Sequence, residues 1–241
     1  MRAGPAELAG EFVGTAFLLA GVVGSGIMAE RLTDDVGLQL LQNAIATAGV
    51  LIALILAIGP ASGAHFNPAV TLAQRLFGAI DTPTAAAYIA VQVLGGAVGV
   101  IVANLMFDLS AITWSTTERS GANLWLAEVV ATLGLLLVIF GVVRSGNTQA
   151  VAFAVGWYIA GAYYFTASTS FANPAVTVAR TLSDTFAGIA PRSAPPFVAA
   201  QLLAVPVAVA LTRLLYPEST ESIDDAPATV PNQTVADPPD R

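Results

Sequence analysis

Apolar residues in this chain come in long blocks, not at every second or every fourth position, and short polar runs separate the blocks. Six blocks, over residues 8–28, 38–58, 85–107, 124–143, 150–167 and 194–215, predict membrane-spanning helices, since about 20 apolar residues cross the hydrocarbon layer of a bilayer. The fifth block is the shortest. Glu11 and Glu128 are the only acids inside the six. After the second block, and again after the fifth, the same five residues occur: Asn67-Pro68-Ala69-Val70-Thr71 and Asn173-Pro174-Ala175-Val176-Thr177. Asn is a favoured N-cap, and Pro suits the first helical position, whose N–H has no intrahelical partner anyway. Each copy therefore predicts a short helix of about ten residues, running to Phe77 and to Ser183. That is roughly 15 Å, half of the apolar thickness.

Other residues repeat in step. Glu11 and Thr15 of the first block match Glu128 and Thr132 of the fourth, and Gln92 of the third matches Gln201 of the sixth. The order is span, span, half-helix, span, given twice over approximately residues 6–107 and 123–216. An odd number of spans per copy makes the second copy enter the membrane upside down. Such inverted repeats place the functional site where half-helix N-termini meet near the midplane. The expected fold is an all-α membrane protein of six transmembrane helices and two re-entrant half-helices, in one channel domain over residues 1–216. Glycines at 10, 14, 95, 99, 134 and 141 are expected to let these helices approach closely.

The caps define the chemistry. Each Asn oxygen is expected to accept from the second or third helical N–H, at Ala69 or Val70 and at Ala175 or Val176. The side-chain NH₂ groups of Asn67 and Asn173 are then left as donors to a lumen, backed by helix-dipole ends worth about half an elementary charge each. Donors with positive ends behind them attract the oxygens of water and hydroxylated solutes and disfavour cations and protons.

Composition narrows the class. The 241 residues are 56% hydrophobic and 10% charged, with a mean hydropathy of +0.74, whereas soluble domains carry about 25% charged residues. The absence of Cys excludes disulfides and thiolate sites. No Lys occurs, and the nine Arg are spread too thinly to favour nucleic acid. Six of the sixteen acids lie beyond Tyr216, in a Glu/Asp/Pro/Thr-rich segment, 217–241, expected to be a disordered tail. No paired carboxylates, nucleophile–His pair or metal cluster can be assembled, so neither an enzyme nor a cofactor is expected.

The stretch Ser62-Gly63-Ala64-His65-Phe66-Asn67-Pro68-Ala69-Val70-Thr71, the second Asn-Pro-Ala (NPA motif) and both Glu-x-x-x-Thr pairs resemble the aquaporin (major intrinsic protein) family. The resemblance covers roughly residues 6–216. It implies passive conduction of water or small neutral solutes, membrane lipid as the surroundings, a homotetramer with one pore per subunit, and both termini in the cytoplasm. It also implies a second constriction of four side chains, each fixed by its spacing from an Asn: Thr47, Gly161, Ser170 and Val176. Val176 stands where the family usually has Arg. A unit charge at 4 Å is worth about 4 kcal/mol at an effective dielectric constant of 20, so its loss should change selectivity substantially and lower the barrier to cations, with the half-helix dipoles and Asn donors remaining. Arg-lacking filters of this kind resemble those of bacterial aquaporins associated with arsenic resistance. The expectation is an aquaglyceroporin-like channel in a bacterial plasma membrane for metalloid hydroxides such as arsenite, glycerol-like polyols and water.

Several residues carry alternatives. Arg180, four residues after Val176 and about a turn outward, could form a displaced charged ring or could cap carbonyls and reach headgroups; Arg75 is read as its counterpart. Buried Glu11 and Glu128 suggest a proton relay by default, while the resemblance implies that they support the loops entering each half-helix. His65 is read as a structural residue near Glu11, and Trp157 as a packing or lipid contact. The rivals to a neutral-solute pore are a water-selective or weakly ion-conducting channel and a proton-coupled transporter.

Overall fold

The apolar blocks form helices, and in the computed structural model, which describes residues 3–217, no strand occurs among the described residues. The helices are α1 (Pro5–Leu32), α2 (Val36–Ser62), α3 (Pro68–Phe77), α4 (Thr82–Met106), α5 (Ala122–Arg144), α6 (Val151–Phe165), α7 (Pro174–Ala179) and α8 (Ala194–Leu215). The acidic segment, apart from Pro217, lies outside the described residues. Five of the helices are long and apolar enough to cross a membrane. The fifth span is the exception: α6 has 15 residues, preceded by a 3₁₀ turn at Thr148–Ala150, and reaches only roughly 22 Å at 1.5 Å per residue.

Polar residues set the ends. α1 runs past the end of the first apolar block to Leu32, and the break falls at Thr33–Asp35. There the Asp35 carboxylate caps α2 by accepting from the Leu38 N–H at 2.9 Å. The second half-helix is also shorter than expected. α7 ends at Ala179 and a 3₁₀ turn, Arg180–Leu182, takes over. The carbonyls of Thr181 and Leu182 then receive the N–H groups of Ser115 and Thr113 at 2.9 and 3.0 Å. The loop joining α4 to α5 thus lies extended across the end of α7 and satisfies carbonyls that a helix terminus leaves open.

Packing follows the repeat. α1 packs on α2 and α4, as α5 packs on α6 and α8. The half-helices cross over: α3 rests on α8, and α7 on α4. In lipid this association depends on close contact, because the surrounding tails are as apolar as the side chains. A Cβ at Gly95 or Gly99 of α4 would run into the carbonyl oxygens of Phe12 and Ala16 on α1, so these two glycines are what lets the backbones approach. The outer surface is apolar, with Phe17, Leu126 and Trp157 each more than 60% exposed. Trp157 therefore points outward and does not reach the interior.

Ends of different helices meet on one face. The Ala3 N–H donates to Thr84 at the start of α4, and Arg213 near the end of α8 donates to the Leu76 carbonyl. This face is the terminal side of the molecule, and the face carrying the 113–117 segment is the loop side.

Candidate pore between two half-helices

The two Asn caps form as their sequence predicts. Asn67 Oδ1 accepts from the Ala69 N–H at 2.9 Å, and Asn173 Oδ1 accepts from those of Ala175 and Val176 at 3.0 and 3.2 Å. The NH₂ groups are less free than expected. Asn67 Nδ2 donates to the Ala172 carbonyl, and Asn173 Nδ2 to the Phe66 carbonyl, each at 2.8 Å. Asn67 and Asn173 therefore each tie the opposite loop and keep one side-chain N–H for the lumen. Periodicity carries no information about this, since the pairing joins residues more than 100 positions apart.

The loops that deliver the caps have an uncommon backbone. Gly63, Ala64 and Phe66 in the first, and Thr169, Ser170 and Ala172 in the second, all have φ between 46° and 85°. The positions match between copies. A non-Gly residue held in such a region costs about 1–3 kcal/mol. What holds it is a buried carboxylate. Glu11 accepts from the His65 and Phe66 N–H groups at 2.9 and 2.8 Å, from the Ser62 hydroxyl at 2.8 Å and from Gln92 at 2.7 Å. Glu128 accepts from the Phe171 and Ala172 N–H groups at 3.0 and 2.9 Å and from Gln201. The same two glutamines donate to Thr71 and Thr177 at 3.0 and 2.8 Å. Hydrogen bonds to a charged group are worth about 1.5–3 kcal/mol each, so three or four are of the size needed to offset two or three strained residues. Both glutamates are 0% exposed, Glu11 with four donors and Glu128 with three. This is scaffolding geometry: each carboxylate holds two backbone N–H groups of its loop and the glutamine beside it.

A cavity of about 150 Å³ runs past both Asn residues. Its wall includes Thr47, Ser170 and Val176 together with His65. His65 Nδ1 lies 3.1 Å from the Thr71 hydroxyl, and its ring sits edge-on to Tyr88. The carbonyls of Ala64, His65, Ser170 and Phe171 receive no donor among the described residues, and all four residues line the cavity.

Gly161 is a correction. It is exposed, a Cβ there would meet nothing within 4 Å, and it is not part of the wall. α6 presents Val151, Val155, Ile159 and Tyr163 to the cavity. Positions four apart share a helix face, and Gly161, midway between two of them, falls on the other. Tyr163 is the side chain that counting back from Asn173 missed. Its hydroxyl lies 3.1 Å from that of Thr47. The four-residue stripe 151, 155, 159, 163 was the available signal.

Two longer polar residues complete the wall. Arg180 is 3% exposed and lines the cavity at the loop side. Gln74 lines it as well, and it is Gln74, not Arg75, that stands at the repeat offset from Arg180. Arg75 lies outside, with Nε 2.8 Å from the Thr82 hydroxyl. Arg119, on the 108–121 loop, has its guanidinium 5.2 Å from the Phe171 ring centroid. Burial draws the Arg119 group below its ordinary pKa range, and the Glu128 charge acts the other way. Among the described residues no cluster of three His, Cys, Asp or Glu could hold a metal.

Comparison with known proteins gives a consistent result. A family model described as major intrinsic protein matches residues 5–150. The chain is 48% identical over 222 residues to the aquaglyceroporin AqpS of Rhizobium meliloti (strain 1021), covering 92% of this chain and 95% of that one. It is 32% identical over 145 residues to aquaporin NIP1-2 of Arabidopsis thaliana, covering 56% of this chain and 49% of that one. Among solved structures, the X-ray structure of the aquaglyceroporin from Plasmodium falciparum matches with a TM-score of 0.65 at 22% identity, over 88% of this chain and 94% of that one. At that identity the likeness speaks for the fold.

Proposed function

The chain belongs to the major intrinsic protein family, whose members are membrane channels and not enzymes, and on that premise we propose that it is a passive pore for small neutral hydroxylated solutes. The solutes are glycerol-like polyols, metalloid hydroxides such as arsenite, and water. The observation that carries this reading is Val176. It stands directly after the second Asn-Pro-Ala, lines the cavity, and brings no charge and little bulk. With Thr47 and Ser170 in the same wall, it forms a selectivity filter that discriminates by hydroxyl groups more than by a fixed charge at that level. Arsenite is a neutral trihydroxide at pH 7, close to glycerol in hydroxyl pattern. The R. meliloti relative is named an aquaglyceroporin, which favours polyols over water alone.

The rest of the assignment follows the same reading. One channel domain, residues 1–216, sits in a bacterial plasma membrane as a homotetramer with both termini in the cytoplasm. The meeting of Ala3, Thr84, Leu76 and Arg213 on one face supports the placement of both ends on one side. Asn67 and Asn173 each offer one N–H to a passing oxygen, and Glu11, Glu128 and His65 support the loops behind them.

The test is stopped-flow light scattering on vesicles containing the reconstituted protein. Wild type is expected to pass glycerol and arsenite, and Val176→Arg to reduce both by about tenfold or more, since the added side chain brings bulk and charge. A wild type that passes water alone, with Val176→Arg unchanged, would exclude the reading.

A further inference from the structure

The loop-side wall carries a charge one helical turn beyond the level of Val176. Arg180 is buried, yet it belongs to the cavity lining. Its Nε donates to the Ala187 carbonyl, and its guanidinium carbon stands 3.5 Å from the centroid of the Phe171 ring. Among the described residues its two terminal nitrogens find no acceptor, and no carboxylate forms an ion pair with it. A buried guanidinium without a carboxylate is costly unless other groups solvate it. One carbonyl, one aromatic face and the open cavity are what this one has.

The aromatic shelf is itself fixed from several directions. The Phe171 N–H donates to Glu128 at 3.0 Å, and its ring packs edge-on against Phe197 at 5.3 Å. Arg119 approaches the same ring, and its Nε and Nη2 donate to the carbonyls of Gly188 and Phe186 at 2.9 and 3.3 Å. The segment 186–188 thus receives both arginines. Nearby in the wall, the buried Ser170 hydroxyl has no protein partner, and Tyr163 lies against Thr47. The terminal-side equivalent of Arg180 is the neutral Gln74.

We propose that Arg180 is the ion-excluding residue of this channel: its guanidinium, held over the Phe171 ring with Arg119 as a positioning residue, repels cations and donates hydrogen bonds to the oxygens of neutral solutes entering from the loop side. The inference rests on the channel reading above and deepens it. The position directly after Asn-Pro-Ala is the neutral Val176, and the charge stands four residues further along the same wall. A pore of this kind passes neutral trihydroxides and polyols and still holds back cations.

Urea and guanidinium separate charge from size, being planar and nearly equal in dimensions. Uptake of each by vesicles containing the full-length protein gives a guanidinium-to-urea permeability ratio that does not depend on how much protein is inserted. Wild type is expected to favour urea strongly. Arg180→Gln should raise the ratio by about tenfold or more, because a cation near a buried unit charge meets little screening. Arg119→Gln, in the loop, should raise it by a smaller factor, about two- to threefold, through a loosened shelf. An unchanged ratio in Arg180→Gln overturns the proposal; if that variant does not assemble, an unchanged ratio in Arg119→Gln does so. A wild type that takes up urea and guanidinium equally also overturns it. Failure of wild type to pass urea, glycerol or arsenite would remove the channel reading itself, and the inference with it.

Discussion

The two halves of the chain share a frame and differ at what the frame presents. Each half has a buried Glu under a left-handed loop, a Gln joining that Glu to a Thr, and an Asn cap. The residues that repeat are those whose side chains hold backbone. Those that break the repeat lie along the cavity: His65 against Phe171, and Gln74 against Arg180. One frame thus supports a neutral terminal-side mouth and a cationic loop-side mouth. Backbone geometry tolerates little change, while the lining is free to diverge end by end.

The frame itself is not evenly supported, and that unevenness gives the largest expected effect. Glu11 takes four donors and Glu128 three. Replacing either by Ala strands buried N–H groups and should cost about 3–5 kcal/mol, with Glu11→Ala the worse. Thermal unfolding in detergent reads both, and equal losses would show that the Ser62 hydroxyl adds nothing. The caps come next. Asn173→Ala removes two cap bonds and Asn67→Ala one, besides one cross-bond each. Losses of about 1–2 kcal/mol are expected, larger for Asn173→Ala, by the same measurement.

A smaller effect separates the loops by a single residue. Position 63 is Gly and its equivalent 169 is Thr, yet both have positive φ, 85° and 60°. A β-branched residue there is an outlier. Thr169→Gly should therefore stabilise by about 1 kcal/mol and Gly63→Thr should destabilise by a similar amount, opposite in sign if the repeat is genuine at this level. The smallest effect is on α6. Gly161→Phe should leave solute flux and stability nearly unchanged, within about 0.5 kcal/mol, because the site faces outward. A strong block of glycerol flux by this variant would restore Gly161 to the filter.

What the sequence disclosed, and what it did not, divides along physical lines. The spans, the half-helices, their caps and the inverted order are local or periodic, so apolar blocks and Asn-Pro-Ala suffice to find them. The Glu–Gln–Thr frame was visible as residues in step, though not as hydrogen bonds. Gly161 was misplaced because the count ran from Asn173 back across an irregular loop and onto a helix, where two residues turn a side chain to the opposite face. Tyr163 and Gln74 were missed for related reasons: helix phase in one case, and in the other a repeat offset applied one residue off. The cross-bonds of the Asn NH₂ groups lie beyond any local pattern.

Those cross-bonds also bear on how the protein is made. The Asn67 Nδ2 group cannot make its cross-bond until Ala172 exists, and Ala172 follows Asn67 by 105 residues. At the usual pace of synthesis, about 5–20 residues per second, that is a wait of roughly 5–20 s. α3 packs on α8, the last helix to emerge. For those seconds the amino-terminal half has its own loop held by Glu11 and its own cap at Ala69, but lacks the cross-bond and the α8 surface on which α3 rests.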